Sequence, residues 1–264
     1  MSVVAPVTRP LPTTEPLFPM KPRGRAARLP GNVTDAAGKQ EAILDAAASV
    51  FMQLGFIGSS LDDISDALGA TKGIIYYYFR NKSALFFAVQ RRAMDLTRAT
   101  LEPIAGSALA PADKLRAMAH AHTLLTMRQL PYLRVAGQGL ELHLSGRTSA
   151  AEREEMRAIT DLRDGNERLY IGVIEAGIAS GAFRATSARL VSKPLLGALN
   201  WTSRWYQPRP GETDADREAI ARQLADFVTH ALLAAPGPKG PALRAVPAAP
   251  LPISRISKSD RSRR

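Results

Sequence analysis

Apolar positions along the middle of the chain recur at helical spacing. Ile43, Ala47, Val50, Phe51 and Leu54 form one stripe. That i, i+3, i+4 pattern predicts a first helix over 36–54 with one buried face, ended by Gly55. Leu61, Ile64, Ala67 and Leu68 mark a short second helix over 61–68. Ser60 and Asp63 stand at the spacing of a capping box at its start. Gly69-Ala70 reads as a tight turn. Thr71 stands where it can cap a third helix over 72–78, and Asn81 where it can cap a long fourth helix beginning near Lys82. Beyond residue 107 the periodicity predicts helices over 112–128, 132–145, 150–180, 187–206 and 214–234. Ser149 with Glu152 and Thr213 with Asp216 are further capping boxes. The last helix carries Ile220, Leu224, Phe227, Val228, Ala231 and Leu232 as one wide stripe. Its small residues Ala221, Ala225 and Ala231 would admit a partner helix at close range. Runs of alternating β-branched residues are absent, and no repeat of about 20–50 residues stands out. The expected fold class is all-α.

Two short helices joined by a turn with Gly, braced by a longer helix in front, make the helix-turn-helix pattern. The second short helix is only about two turns long and exposes Lys72, Tyr76 and Tyr77. So short a helix is marginal alone in water, and its composition fits a face that meets a partner groove.

Charge changes this picture at the ends of the chain. The 264 residues carry a formal charge of +11. Residues 1–37 hold +3 and residues 236–264 hold +6, leaving +2 for the body between them. Seven of the 19 prolines fall in the first stretch and six in the second. Pro removes a backbone donor and fixes φ, so neither stretch can be a helical core. Both read as disordered, the first as a basic Pro-rich arm and the second as a basic Pro/Ala-rich tail. Arg23, Arg25 and Arg28 sit just ahead of the first helix, where a basic arm can enter a minor groove. Within 38–90 the net charge is −1. Affinity for phosphate must then come from charge placement, helix N-termini, the tails and dimerisation.

The absence of cysteine excludes disulfides, thiolate zinc sites, iron–sulfur clusters and a cysteine nucleophile. No Gly-x-Ser-x-Gly elbow, paired-His metal motif or Walker loop occurs. Gly137-Gln138-Gly139 lacks a third glycine and an adjoining strand. Glu154 and Glu155 are adjacent and so do not share a helix face. No enzyme, cofactor or metal is expected. His120 and His122 are two apart, on different sides of a helix, and His143 and His230 lie far off; one of the first two lining a ligand pocket is the better reading. No apolar run reaches the roughly 18 residues needed to cross a bilayer and no secretory signal is visible, so a cytoplasmic protein without a membrane partner is expected.

The residues Ile43, Ala46, Ala47, Phe51, Gly55, Phe56, Ser60, Asp63, Ile64, Ala67, Leu68, Gly69, Lys72, Gly73, Tyr76, Phe79, Lys82 and Leu85 fall, at fixed spacing over 39–85, in a pattern that resembles the TetR family of tetracycline-repressor-like regulators. The resemblance implies an N-terminal three-helix DNA-binding domain at 36–85, then a helical effector-binding and dimerisation domain at 86–235, between the arm at 1–35 and the tail at 236–264. It implies that the Ser60 hydroxyl holds a DNA phosphate and that Thr71, Lys72 and Gly73 open the recognition helix. Tyr76 would contact phosphate, Tyr77 would face the groove and Lys82 would anchor phosphate at the start of the fourth helix. Phe79 would pack. Tyr78 stands where histidine is common in the family. Asp62 stands where many members are neutral or basic; a carboxylate repels phosphate, so that position is expected to turn away from the DNA backbone. Taken singly, Lys72 and Lys82 are ordinary surface lysines and the tyrosines ordinary edge aromatics; the joint pattern is what points to double-stranded operator DNA. A homodimer follows from two-fold reading of two half-sites, with the helices at 187–206 and 214–234 as the interface.

The run Leu199-Asn200-Trp201-Thr202-Ser203-Arg204-Trp205-Tyr206-Gln207-Pro208, followed by Gly211, resembles the branch of that family that represses steroid, fatty-acid and aromatic-acid breakdown and responds to acyl-CoA thioesters. Such a ligand joins an apolar acyl part to an anionic nucleotide. His120, Met127, Tyr132, Arg134, Trp201 and Arg204 are the candidate ligand residues; core packing for the tryptophans and an ion pair for Arg204 are the plainer alternatives. The functional expectation is a repressor released from operator DNA by a small effector. The alternatives are a repressor of drug efflux with a hydrophobic ligand, and a ligand-independent nucleoid or division protein of the same fold.

Overall fold

A computed structural model describes residues 36–144 and 149–234. The basic arm and the tail lie outside the described residues. Among those described, the chain forms nine helices: α1 Ala36–Gly58, α2 Leu61–Leu68, α3 Lys72–Tyr78, α4 Lys82–Ala105, α5 Pro111–Arg128, α6 Leu130–Leu144, α7 Ala150–Ala179, α8 Ala188–Trp205 and α9 Asp214–His230. The all-α class is borne out.

The capping arithmetic holds at most helix starts. Ser60, Ser149 and Thr213 each close a capping box with the carboxylate three residues on. The Asn81 side chain accepts from the Ala84 N–H at 2.8 Å. Thr71 is the exception: it occupies the cap position of α3 in extended backbone, but its side chain makes no capping hydrogen bond. Gly55 ends the regular run of α1 as expected: its backbone is non-helical at φ 71°, ψ 169°, and only a short helical stretch beyond this kink carries the element on to Gly58. That positive φ is open to glycine at little steric cost.

The last helix is shorter than its periodicity predicts. After His230 the chain turns away to pair with the α7–α8 connection. Arg184 donates to the Leu232 carbonyl, Ala234 donates to that of Ala182, and Phe183 bridges Leu233. Ala221 and Ala225 are buried within the chain's own core. α9 lies along α5, so these small residues serve that internal packing and not a partner helix.

Two large cores result. The first joins α1–α3 through Ile43, Phe51, Ile64 and Ile75 to Leu85 and Phe86 of α4, and reaches Val135 of α6 and Ile159 of α7. The rings of Phe51 and Phe86 meet edge to face at 5.2 Å. The second gathers Leu101, Leu115, Tyr170, Ile174, Leu199 and Val228 from α4, α5, α7, α8 and α9. Each such side chain stabilises the fold by about 1.5–3 kcal/mol relative to exposure. Helices α4 and α7 contribute to both cores and so tie the two ends of the molecule together. α1 is long and apolar enough to cross a membrane by composition, yet its apolar stripe is spent on the first core.

Candidate nucleic-acid interface and ligand cavity

α3 owes its orientation to Ile75 and the following Phe79, which are buried, while Tyr76 and Tyr77 are 52% and 82% exposed. A seven-residue helix held by one side turns the other outward. Gly73 is exposed, and a methyl there would meet only the Thr71 hydroxyl, at 3.8 Å. Internal packing therefore does not require glycine, and the backbone is open to close approach by a partner. Thr71 is exposed beside it.

Polar groups on this face are already partnered, each in a different way. The Ser60 hydroxyl donates to Asp63 Oδ2 at 2.6 Å and accepts from the Asp63 N–H at 3.1 Å. The bonds that Asp63 accepts from the Ser60 hydroxyl and backbone N–H hold its carboxyl below the usual carboxylate range. Lys72 Nζ lies 2.9 Å from Asp62 Oδ2, and this hydrogen bond pushes the ammonium pKa up. Asp62 is thus turned toward the recognition helix. Lys82 Nζ donates to the carbonyls of Phe56 and Ser59, both at 2.7 Å, and sits 4.6 Å from the Phe56 ring centroid. Partial burial pushes its pKa down. Two of its three protons satisfy carbonyls at the end of α1 and just beyond it, so Lys82 ties the head of α4 to the α1–α2 connection and keeps one donor for any anion.

A cavity of ≈ 420 Å³ opens between α4 and α8, within the range of small-molecule sites. Its wall takes Leu101 from α4, His122 from α5, Leu133 from α6, Tyr170 from α7, and Leu196 and Trp201 from α8. Arg163 and Arg204 contribute guanidinium groups. The structure brings Trp201 and Arg204 to this cavity as expected candidates. It places the other four elsewhere. His120 pairs through Nε2 with Glu218 at 2.8 Å on the α5–α9 seam. Met127 packs with Leu124, Leu130 and Tyr206 in a small separate core. The Tyr132 hydroxyl donates to Asp45 Oδ1 of α1 at 2.7 Å, and burial pushes its pKa up. Arg134 donates to the carbonyls of Ser203 and Tyr206 at 2.7 and 2.8 Å, closing the C-terminus of α8. Desolvation, then the neighbouring Arg204 charge, pushes its pKa down.

Of the two close histidines, His122 reaches the cavity. Its Nδ1 lies 3.1 Å from the Tyr170 hydroxyl. Burial pushes its pKa down to about 4, against a smaller upward pull from a hydrogen bond with Asn200, so it is neutral at pH 7. Asn166 and Asn200 also line the cavity. These residues carry a signal in the sequence: each is polar at the phase of an apolar stripe, His122 following Met118 and Ala119 on α5. No group of three or more His, Asp or Glu placed to hold a metal occurs among the described residues.

Comparison with known proteins gives two family matches. Residues 43–89 match the bacterial regulatory proteins of the tetR family, and residues 108–232 match the tetracyclin repressor-like C-terminal domain. The HTH-type transcriptional repressor KstR2 of Rhodococcus jostii is 24% identical over 197 residues, 74% of this chain and 92% of that one. The solved structure of PfmR, a TetR family transcriptional regulator from Thermus thermophilus, superposes with a TM-score of 0.62 at 26% identity, over 71% of this chain and 97% of that one. AibR, solved with isovaleryl coenzyme A and operator DNA, shares the fold at a TM-score of 0.58 and 23% identity, over 74% and 98%. With both domain models matched in order on a helix-turn-helix and the helical body behind it, the chain belongs to the TetR family and is a transcriptional regulator, not an enzyme.

Proposed function

We propose that the protein is a dimeric repressor that holds operator DNA through α2 and α3 and releases it when an acyl-CoA thioester occupies the cavity between α4 and α8. The carrying observation is the composition of that cavity: apolar side chains within, and the Arg163 and Arg204 guanidinium groups on the wall. An apolar acyl group suits the first and a nucleotide phosphate the second. KstR2 is named a repressor, and AibR was solved with an acyl-CoA and its operator, which supports the same class here. An open cavity weighs against a ligand-independent DNA-binding protein.

The DNA-facing residues of the proposal are Ser60, Thr71, Lys72, Gly73, Tyr76, Tyr77 and Lys82. Leu190, Trp201 and Trp205 of α8 and Phe227 of α9 are exposed large apolar side chains; burying them against a second copy forms the dimer, which spaces two recognition helices roughly 34 Å apart. Two physical links join cavity to DNA. α4 runs from Lys82 to the cavity residue Leu101. α6 supplies Leu133 and Ala136 to the wall and Tyr132 to Asp45 of α1. A ligand that fits only one setting of these helices shifts the dimer between states by its differential affinity.

The test is binding of the full chain to its own upstream DNA at fixed salt, with octanoyl-CoA, its hydroxylated derivatives, octanoate and free coenzyme A added separately. Specific binding lost with a thioester of either kind, and not with the free acid or coenzyme A, is expected. Binding indifferent to every thioester would overturn the effector class and leave the DNA-binding assignment intact.

A further inference from the structure

Most hydroxyls on the cavity wall have spent their proton at home. Thr97, Thr126 and Ser203 donate to the carbonyls of Ala93, His122 and Asn200 on their own helices. Asn166 differs. Its Nδ2 donates to the Met94 carbonyl at 3.0 Å, which fixes the orientation of the amide. Its Oδ1 is then a buried acceptor with no partner among the described residues, on a side chain only 7% exposed and set in the cavity wall. Buried acceptors of that kind are costly and native proteins rarely leave them so.

One turn on along α7, Tyr170 reaches the same cavity. Its hydroxyl shares a hydrogen bond with His122 and retains capacity for one more partner. The nearby carboxylate of Glu167 is already engaged by the Ser192 hydroxyl and Lys193 Nζ, both at 2.6 Å. Arg163, one turn earlier on α7, also lines the cavity and its guanidinium donates to the Ala136 carbonyl at 3.5 Å; at Asn166 itself the unpaired group is a neutral acceptor. A ligand carboxylate would face the Asn166 oxygen without a proton to give, and so would a ketone. An alcohol can donate.

We infer that the buried part of the effector carries a hydroxyl group, donated to Asn166 Oδ1 beside Tyr170, so that the cavity selects hydroxylated acyl chains or rings over hydrocarbon or ketone of the same size. The inference rests on the cavity being the effector site; it does not depend on the thioester head. Sites built to hydrogen-bond a hydroxyl reject analogues lacking it strongly, because the protein's own polar group is left unpaired.

Calorimetric titration of the full chain tests it in two arms. Cyclohexanol and cyclohexanone carry no head group and differ in the donor. The wild-type chain is expected to bind the alcohol at least about tenfold more tightly, and Asn166→Leu to erase that preference. Asn166→Ala is measured in parallel, with melting curves of both variants, so that the result does not hang on one substitution folding. Equal affinities, no binding of either probe, or a preference that survives in both variants overturns the inference. The second arm compares octanoyl-CoA with its 3-, 5- and 8-hydroxy derivatives. An alcohol preference without binding of any thioester would keep the hydroxyl reading and remove the acyl-CoA head. Octanoyl-CoA binding as tightly as every hydroxy derivative, with no alcohol preference, would do the reverse.

Discussion

The DNA-facing module and the ligand body handle their polar groups in opposite ways. On the module they are exposed, mostly charged and paired with near neighbours: Ser60 with Asp63, Lys72 with Asp62. Around the body's cavity and the end of α8 they are buried or half-buried, largely neutral and paired across the chain: His122 with Tyr170, Asn166 with Met94, Arg134 with Ser203. Exposed pairs add little to stability because water and salt compete with them. Buried ones are costly to disrupt because the orphaned partner cannot turn to water. Substitutions in the body should therefore move stability first, and those on the module should move DNA affinity first.

The largest effect is expected where the body packs most closely. A Cβ on Gly177 would lie 2.0 Å from a ring carbon of Phe183. The ring cannot swing aside, since Phe183 is buried, donates its N–H to the Gly177 carbonyl at 3.0 Å and bridges Leu233. Gly177→Ala should destabilise the protein by about 3 kcal/mol, the upper part of the usual overpacking range. Urea unfolding measures it, and DNA affinity of the folded protein should be unchanged at low temperature. A variant as stable as the parent would mean that the α7–α8 connection is far looser than its contacts imply.

His122 gives the next effect and assigns an acid sensitivity to the body. Its ordinary pKa is 6.5 and burial lowers it to about 4 in the folded chain. As pH falls, the unfolded chain takes up the proton first. Stability from this residue is thus complete above about 6.5, falls between about 6.5 and 4, and changes no further below that. The full loss is on the order of 3 kcal/mol. The partners Tyr170 and Asn200 carry no charge in this window, Tyr170 because burial pushes its phenol further up. Denaturant midpoints of wild type and His122→Gln at pH 7 and pH 5 separate this residue from the carboxylates: the wild type should lose more on acidification. Identical losses would sink the assignment.

How much of this was legible in the sequence follows the same division. The capping boxes, α2, α3 and the outward face of Tyr76 and Tyr77 depend on residues within one or two turns of each other, and spacing reveals them. The cavity is assembled from five helices, and spacing reveals only that a stripe is buried, not what it meets. Ala221 and Ala225 read as room for a partner helix, and α5 of the same chain takes them instead. α9 stops early because residues 232–234 pair with 182–184, nearly fifty positions away. His120 and His122 differ by about 200° around their helix, and the phase of Met118 and Ala119 favours the second. Tyr132 and Arg134 look like ligand residues by type, but they spend their polar groups on Asp45 and on the end of α8. Lys82 keeps its place at the head of α4, while its bonds to the Phe56 and Ser59 carbonyls are invisible to any local rule.

The smallest change in stability should accompany a clear change in binding at Asp62. Its carboxylate is 66% exposed and holds Lys72 at 2.9 Å, on the face proposed to meet DNA. It both occupies the lysine and repels phosphate, so it lowers affinity for any sequence alike and leaves discrimination to groove contacts. Asp62→Asn should leave the melting temperature unchanged. It should raise affinity for non-specific duplex DNA several-fold at low salt. It should also steepen the dependence of log K on log salt by up to about 0.9, the contribution of one phosphate contact. Lys72→Ala should weaken binding, and in the double variant it should cancel most of the gain, because the two residues act through one pair. An affinity that is indifferent to both single substitutions would detach Lys72 from the DNA. The interface would then rest on Tyr76, Tyr77 and the backbone at Gly73, where the chain presents an open surface and no net positive charge.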